Sequence, residues 1–252
     1  MKRTVLDKEL QELDAQVLQL GSLVDDALSK ALEALETGDQ AKSGMVIEAD
    51  AIVDSLRAAI VEHSIRLLTL QQPLGGRDLR YLTAVLSIAS DLERIGDGGA
   101  GIAQNILRMK PLRENDASQI SVDASSASGG GEITETSVLH GILDLGHEAR
   151  RVLQGAMKAF ADRDVNAARY IWEEDDVVDV RYHLVRHDLM AMLEGARAIP
   201  ALQSDTFILQ RATYLLWIAH KLERVADHCT NVCEQIVFIV EGEASIKHSQ
   251  DS

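Results

Sequence analysis

The six residues Leu92, Glu93, Arg94, Ile95, Gly96 and Asp97 return as Leu222, Glu223, Arg224, Val225, Ala226 and Asp227, an offset of 130 residues (93 to 223). The same offset pairs Thr83 with Thr213, Leu86 with Leu216, Ile88 with Ile218, Ala89 with Ala219 and Ile106 with Ile236. An offset of 125 (54 to 179) aligns the earlier segments, placing Gly21 on Gly146, Asp39 on Asp164, Asp50 on Asp175 and Asp54 on Asp179. Similarity sustained over this length marks an internal duplication, in which the second copy carries five extra residues between its second and third segments. The chain must therefore fold as one unit made twice.

That unit reads as helical. Leu6, Leu10, Leu13, Val17, Leu20, Val24, Leu28, Ala31 and Leu35 step by three or four, the spacing that lines one face of a helix. The spacing predicts a first helix over about residues 3–36, ended by Thr37, Gly38 and Asp39. A second runs to about Leu70, where Pro73, Gly75 and Gly76 stop it, and a third runs from Asp78 to about Lys110, before Pro111. The second copy repeats the pattern over about 136–161, 165–197 and 205–240. Aromatic residues make up only 4% of the chain and proline occurs three times, which favours helix over sheet. The expected fold is all-α: two tandem three-helix bundles, 1–112 and 136–242, with short turns enforcing antiparallel neighbours. Residues 113–135 join them, with a Ser/Gly-rich stretch from Ser121 to Gly131 of linker composition, and residues 243–252 read as a frayed end.

The formal net charge of −15 argues against nucleic acid as a partner, because phosphate backbones are held by basic surfaces. Met1 to Asp14 lacks the apolar core of a signal peptide, and the longest aliphatic runs, such as Ile236 to Val240, are too short to span a bilayer. A cytoplasmic protein without direct membrane insertion is expected. Cys229 and Cys233 stand four apart on one helix, a geometry that does not favour a disulfide, and read as small buried residues. No phosphate-cradling glycine loop, nucleophile elbow or zinc-protease helix occurs, so nothing reads as a catalytic centre.

The acidic residues carry the functional signal. Glu93 with Asp97, and Glu223 with Asp227, each place two carboxylates on one helix face, where like charges cost about 0.2–0.5 kcal/mol per pair. Asp50 with Asp54, and Asp175 with Asp179, give the preceding helix of each unit its own pair. Neighbouring helices can bring the pairs together, so four carboxylates would surround one locus per bundle. Oxygen donors suit magnesium, manganese or iron, and His183, His187 or His228 nearby would admit zinc. On the last helix His220, Glu223, Asp227, Asn231 and Glu234 form a continuous stripe, matched in the first copy by Ser90, Glu93, Asp97, Gly101 and Gln104. The competing reading is that interhelical ion pairs to Arg94 and Arg224 satisfy these acids, and that His183 and His187 are surface histidines. Gly96, Gly98, Gly99 and Gly101 on a helix would each cost about 1 kcal/mol against Ala, which indicates close packing or flexibility.

The two Glu-Arg-aliphatic-small-Asp motifs, the run from Asp227 through His228, Cys229, Asn231 and Cys233 to Glu234, and the two three-helix units resemble the PhoU family of phosphate-uptake regulators. The resemblance covers nearly the whole chain apart from the linker and implies a non-enzymatic protein. It would act with the ATPase subunit of the phosphate ABC transporter and with a membrane sensor histidine kinase, limiting uptake and silencing the phosphate-starvation response, and a homodimer is a further expectation. It also implies metal clusters, with Asp50, Asp54, Glu93 and Asp97 as ligands in one bundle and Asp175, Asp179, Glu223 and Asp227 in the other. Gly98 and Gly101 stand where the second copy has His228 and Asn231, which predicts a weaker first site. Two alternatives remain open. A carboxylate-bridged helical-bundle metalloenzyme would usually need Glu-x-x-His motifs, which the chain lacks, and an acidic adaptor would bind basic partner surfaces without metal.

Overall fold

The computed structural model describes residues 3–70, 74–109, 121–123, 132–198 and 206–242. The first copy forms α1 (Arg3–Thr37), α2 (Gln40–Leu70) and α3 (Gly76–Arg108). The second forms α4 (Glu135–Asp162), α5 (Val165–Glu173), α6 (Asp175–Ala198) and α7 (Thr206–Glu241). The fold is all-α, with two tandem three-helix bundles. Leu13, Val17, Leu20, Val24, Leu28 and Ala31 of the predicted apolar stripe are fully buried, and Leu10 packs at its edge. Leu10 aside, the period-of-three-and-four pattern is the core face of α1.

Two features differ from expectation. Ser121–Asp123 (β1) and Glu132–Thr134 (β2) pair as a short antiparallel ladder, with Val122 opposite Ile133, so part of the 113–135 stretch has regular structure. Thr134 then caps α4: its side chain accepts from the Ser137 N–H at 3.1 Å while the Ser137 hydroxyl accepts from the Thr134 N–H at 2.9 Å. The second departure lies in the expected helix over 165–197, which breaks at Glu174 into α5 and α6. Glu173, Glu174, Asp175 and Asp176 are four successive acids, whereas the equivalent residues of the unbroken α2 read Glu48, Ala49, Asp50 and Ala51. Replacing helix-favouring alanines by crowded carboxylates weakens the helix, and a break lets Asp175 and Asp176 sit in the first turn of α6, where the helix dipole favours negative charge. Glu174 turns toward α4 and pairs with Arg151. The five-residue difference between copies falls between α6 and α7, outside the described residues.

The turn between the first two helices of each copy is built alike. Gly38 and its equivalent Arg163 both take left-handed backbone (φ 69° and 53°), and the following Asp39 and Asp164 cap the next helix by accepting backbone N–H bonds at about 3.0 Å. Left-handed backbone costs a non-glycine residue about 1–2 kcal/mol. Arg163 offsets this through its side chain, which donates to the Phe160 carbonyl at 2.6 Å, pairs with Asp14 and lies over the rings of Tyr81 (5.3 Å) and Phe160 (4.2 Å). The Tyr81 hydroxyl donates to the same Asp14 at 2.7 Å, so this residue of the second copy is fastened to α1 and α3 of the first.

The two copies meet around a pseudo-two-fold axis, visible in which residues touch. The flexible end of Met157 lies on Gly21, and at the equivalent contact Leu32 lies on Gly146. Asp25 faces its own equivalent, Arg150, in a bidentate pair at 2.8 and 3.0 Å. On the other side of the interface α3 crosses α7, with the Lys221 side chain over Gly101, and its backbone near Gly98, answered by Asp91 against His228 and Asn231. This is the contact rule of an isologous dimer, in which residue i meets j and j meets i, realised inside one chain.

At an open helical site Gly→Ala stabilises by about 1 kcal/mol. At Gly146 a methyl group would meet buried Leu32, so Gly146→Ala is expected to destabilise by about 1–3 kcal/mol in urea denaturation. A stabilised variant would refute the packing of α4 on α1 described above.

Candidate metal centre

In each predicted carboxylate tetrad the acids of the two helices lie near enough for their charges to act on Asp50 or Asp175. Asp50 comes from the middle of α2 and Glu93 and Asp97 from α3, and the packing of these helices lets Asp97, Asp54 and Glu93 act on the Asp50 carboxyl. Burial, and then the charges of those three, hold it above the usual range. In the second copy burial, followed by Asp179, Asp227, Asp176 and Glu223, pushes Asp175 from 3.8 to about 7. Asp227 is raised in the same way, by burial and then by Glu223 and Asp179, with His228 and Arg224 acting in the opposite sense. Equivalent residues share their exposure: Asp50, Asp175, Glu93 and Glu223 are half-buried, and Asp54, Asp179, Asp97 and Asp227 are exposed. The two loci therefore repeat in pattern of burial as well as in sequence.

They are not identical. Asp176, whose equivalent is Ala51, adds a fifth acid to the second locus, and its charge reaches Asp175. Sequence reasoning by repeat equivalence passes over it, because the first copy has no acid there. Oδ1 of Asp175 is buried without a hydrogen-bond partner, a costly state for a carboxylate oxygen and one that a cation or a proton would relieve. Among the described residues no three acid, histidine or cysteine side chains converge closely enough to enclose an ion as they stand.

The histidines and the long stripe on α7 resolve differently from expectation. His228 donates through Nδ1 to Asp91 at 3.0 Å, and Asn231 donates to the same oxygen at 3.2 Å. Both are committed to the α3–α7 interface, so the stripe is not one ligand face. His220 bonds Glu223 (2.8 Å), His187 bonds its neighbour Asp188 (3.3 Å), and exposed His183 lies beside Tyr182 (ring centroids 5.7 Å). Among the described residues Arg94 and Arg224 close no ion pair, so the expected interhelical pairs that would satisfy the acids are absent there. Gly98 and Gly101 do serve close packing, under Val225 and Lys221 respectively. Asp91, buried and central to the interface, was not singled out by the sequence; its signal is an acid flanked by apolar core positions, opposite Lys221 in the repeat. Cys229 and Cys233 are buried free thiols, and burial pushes the Cys233 thiol up to about 12. At that value it is an inert core residue.

A duplicated helical-bundle protein with a carboxylate cluster on each copy is the class this structure defines. The PhoU domain family matches it twice, over residues 17–106 and 142–236, and the chain belongs to that family. It is 32% identical to the phosphate-specific transport system accessory protein PhoU homolog of Streptococcus pneumoniae, over 96% of this chain and 97% of that one. It is 26% identical to the homolog of Clostridium acetobutylicum (96% and 97%) and 29% identical to the PhoU accessory protein of Escherichia coli (93% and 85%). The crystal structure of the phosphate transport system regulatory protein PhoU from Streptococcus pneumoniae superimposes with a TM-score of 0.73 at 29% identity, covering 96% of this chain and 99% of that one. That of PhoU from Pseudomonas aeruginosa shares the fold, with a TM-score of 0.76 at 24% identity over 94% and 99%.

Because the Asp175 carboxyl holds its proton up to about pH 7 when folded and releases it at its ordinary 3.8 when unfolded, its contribution to stability is full below 3.8 and is lost as pH rises to about 7. Asp175→Asn is therefore expected to match the wild type in acid and to gain on it across that window, in urea denaturation with a chelator present. A stability difference independent of pH would contradict the raised carboxyl.

Proposed function

We propose that this protein is a non-enzymatic, cytoplasmic regulator of phosphate uptake and a negative regulator of the phosphate-starvation response. It acts with the ATPase subunit of the phosphate ABC transporter and the sensor histidine kinase of the same regulon. The observation that carries this reading is membership of the PhoU family along nearly the full chain, with relatives named as phosphate-specific transport system accessory proteins. No helix among the described residues is long and apolar enough to cross a membrane, in keeping with action beside membrane partners.

In this reading Asp50, Asp54, Glu93 and Asp97 would hold one metal site, and Asp175, Asp179, Glu223 and Asp227 the other. The unpartnered Asp175 oxygen and the all-oxygen donor set suit magnesium, manganese or iron, whereas zinc would have to draw a nitrogen ligand such as His220 from its bond to Glu223. A cation would neutralise the mutually repelling acids and fix α2 against α3 and α6 against α7. The outer helices expose apolar side chains at equivalent positions, Met45 and Tyr170, Ile52 and Val177, Ile65 and Met190. These faces form the docking surfaces, for the partners or for a second copy in a homodimer. Regulation then follows from differential affinity of the docked states, without a chemical step.

Protein purified without chelator is expected to carry several divalent or trivalent ions per chain, and Glu223→Ala with Asp227→Ala is expected to remove a large part of them, read by elemental analysis. Metal absent from wild type, even after anaerobic loading, would leave the acids as metal-free docking surfaces. Ile52→Glu combined with Val177→Glu, both exposed, is expected to abolish pulldown by the cognate ATPase and kinase while leaving the thermal unfolding curve unchanged. Undiminished capture would place docking elsewhere.

A further inference from the structure

The crossing of α3 and α7 holds a small cleft of about 170 Å³ whose charge is opposite to that of the chain. Arg94 and its repeat equivalent Arg224 both line it, together with Lys221, His228 and Asp97. Two residues that lie 130 apart in sequence thus converge on the pseudo-two-fold axis, and the interface between the copies creates a site that neither copy has alone. In a chain of net charge −15, three cations gathered on one cleft stand out. Arg66, Arg150, Arg151, Arg163, Arg169 and Arg211 each pair with a carboxylate. Arg94, Arg224 and Lys221 close no ion pair among the described residues. Lys221 is half-buried with its side chain laid over Gly101, where a larger residue would displace it, while Val225 packs over Gly98. Among the described residues Asp97 is the one carboxylate lining the cleft, and the nearby Asp91 is engaged by His228 and Asn231.

We propose that this cleft binds a small tetrahedral oxyanion, inorganic phosphate, between Arg94, Arg224 and Lys221. Guanidinium pairs are the side chains best matched to phosphate oxygens, which they bind through paired N–H donors, and Lys221 adds a point charge. The volume, about 170 Å³, accommodates a small hydrated ion, and the ATP arm of the experiment tests whether a larger phosphate ligand binds as well. Asp97 supplies selectivity. At neutral pH phosphate keeps a proton that can be donated to a carboxylate, whereas fully ionised sulfate only repels it. The position of the site gives it leverage, because an anion bridging α3 and α7 draws together the two copies at their axis. Its consequence for regulation rests on the function proposed above, but its chemistry does not. Binding to metal-free protein tests the cleft alone, and metal content and partner capture test the other reading.

The experiment is titration of chelator-treated full-length protein with sodium phosphate, sodium sulfate and ATP at constant ionic strength, followed by calorimetry and by backbone amide shifts. Saturable phosphate binding is expected, with shifts centred on α3 and α7 and at least about tenfold preference over sulfate and ATP. Arg94→Gln combined with Arg224→Gln should weaken it about tenfold or more; both arginines are exposed and free of ion pairs, and glutamine keeps the helix, so the variant folds. Asp97→Asn should narrow the preference for phosphate over sulfate. The proposal is overturned by no saturable phosphate binding, by equal binding of sulfate or ATP to wild type, or by unchanged affinity in the arginine variant.

Discussion

The contact between the two copies organises everything else. Three-helix units with a hydrophobic face left over must bury it, and here each buries it on the other through α1 against α4 and α3 against α7. The self-equivalent pair Asp25 and Arg150 marks the axis. In a symmetric assembly of identical chains, the same residue would face itself there, and two aspartates would repel. Fusion of the copies into one chain removes that constraint, so opposite charges can occupy the two sides. The pair is half-buried, which sets its worth between the about 1 kcal/mol of exposed pairs and the about 3–5 kcal/mol lost on breaking a buried one.

Other differences between the copies are of the same kind. Lys221 over Gly101, with its backbone beside Gly98, on one side of the axis becomes Asp91 held by His228 and Asn231 on the other. Small residues in α3 make room for a long cation from α7, while larger polar residues of α7 reach a buried acid on α3. The result is one interface with a packed, hydrogen-bonded half and a cationic half. Glycines Gly98 and Gly101, which weaken an isolated helix, are here the condition for that approach.

The acids follow a different logic. They are gathered on α2 and α3, and on α6 and α7, at positions where burial and like charge both oppose ionisation, most strongly at Asp175. The break at Glu174 adds Asp176 and brings the first turn of α6 to that locus, so the second cluster is the more charged of the two. A fold retains such repulsion when something binds there; in the proposed function that is a metal ion. The cleft at the axis instead gathers three cations, Arg94, Arg224 and Lys221, in an acidic protein.

The amino-acid sequence by itself determined the duplication, the helix count per copy apart from one break, the core face of α1, and the two turns capped by Asp39 and Asp164. All of these follow from local periodicity or from repeat equivalence, which need no knowledge of packing. Tertiary structure alone decided that His228 and Asn231 serve the interface, that Asp91 is buried as their partner, and that Arg94 and Arg224 converge without pairing to the acids beside them. The ladder formed by β1 and β2 likewise lay hidden, because each strand is three residues long with a single apolar residue, Val122 or Ile133, too short an alternation to read against the polar stretch around it. The physical reason is that a side chain's partner across a helix crossing depends on the rotation and offset of the two helices. One-dimensional spacing fixes the face on which a residue lies, but the crossing determines which other face it meets.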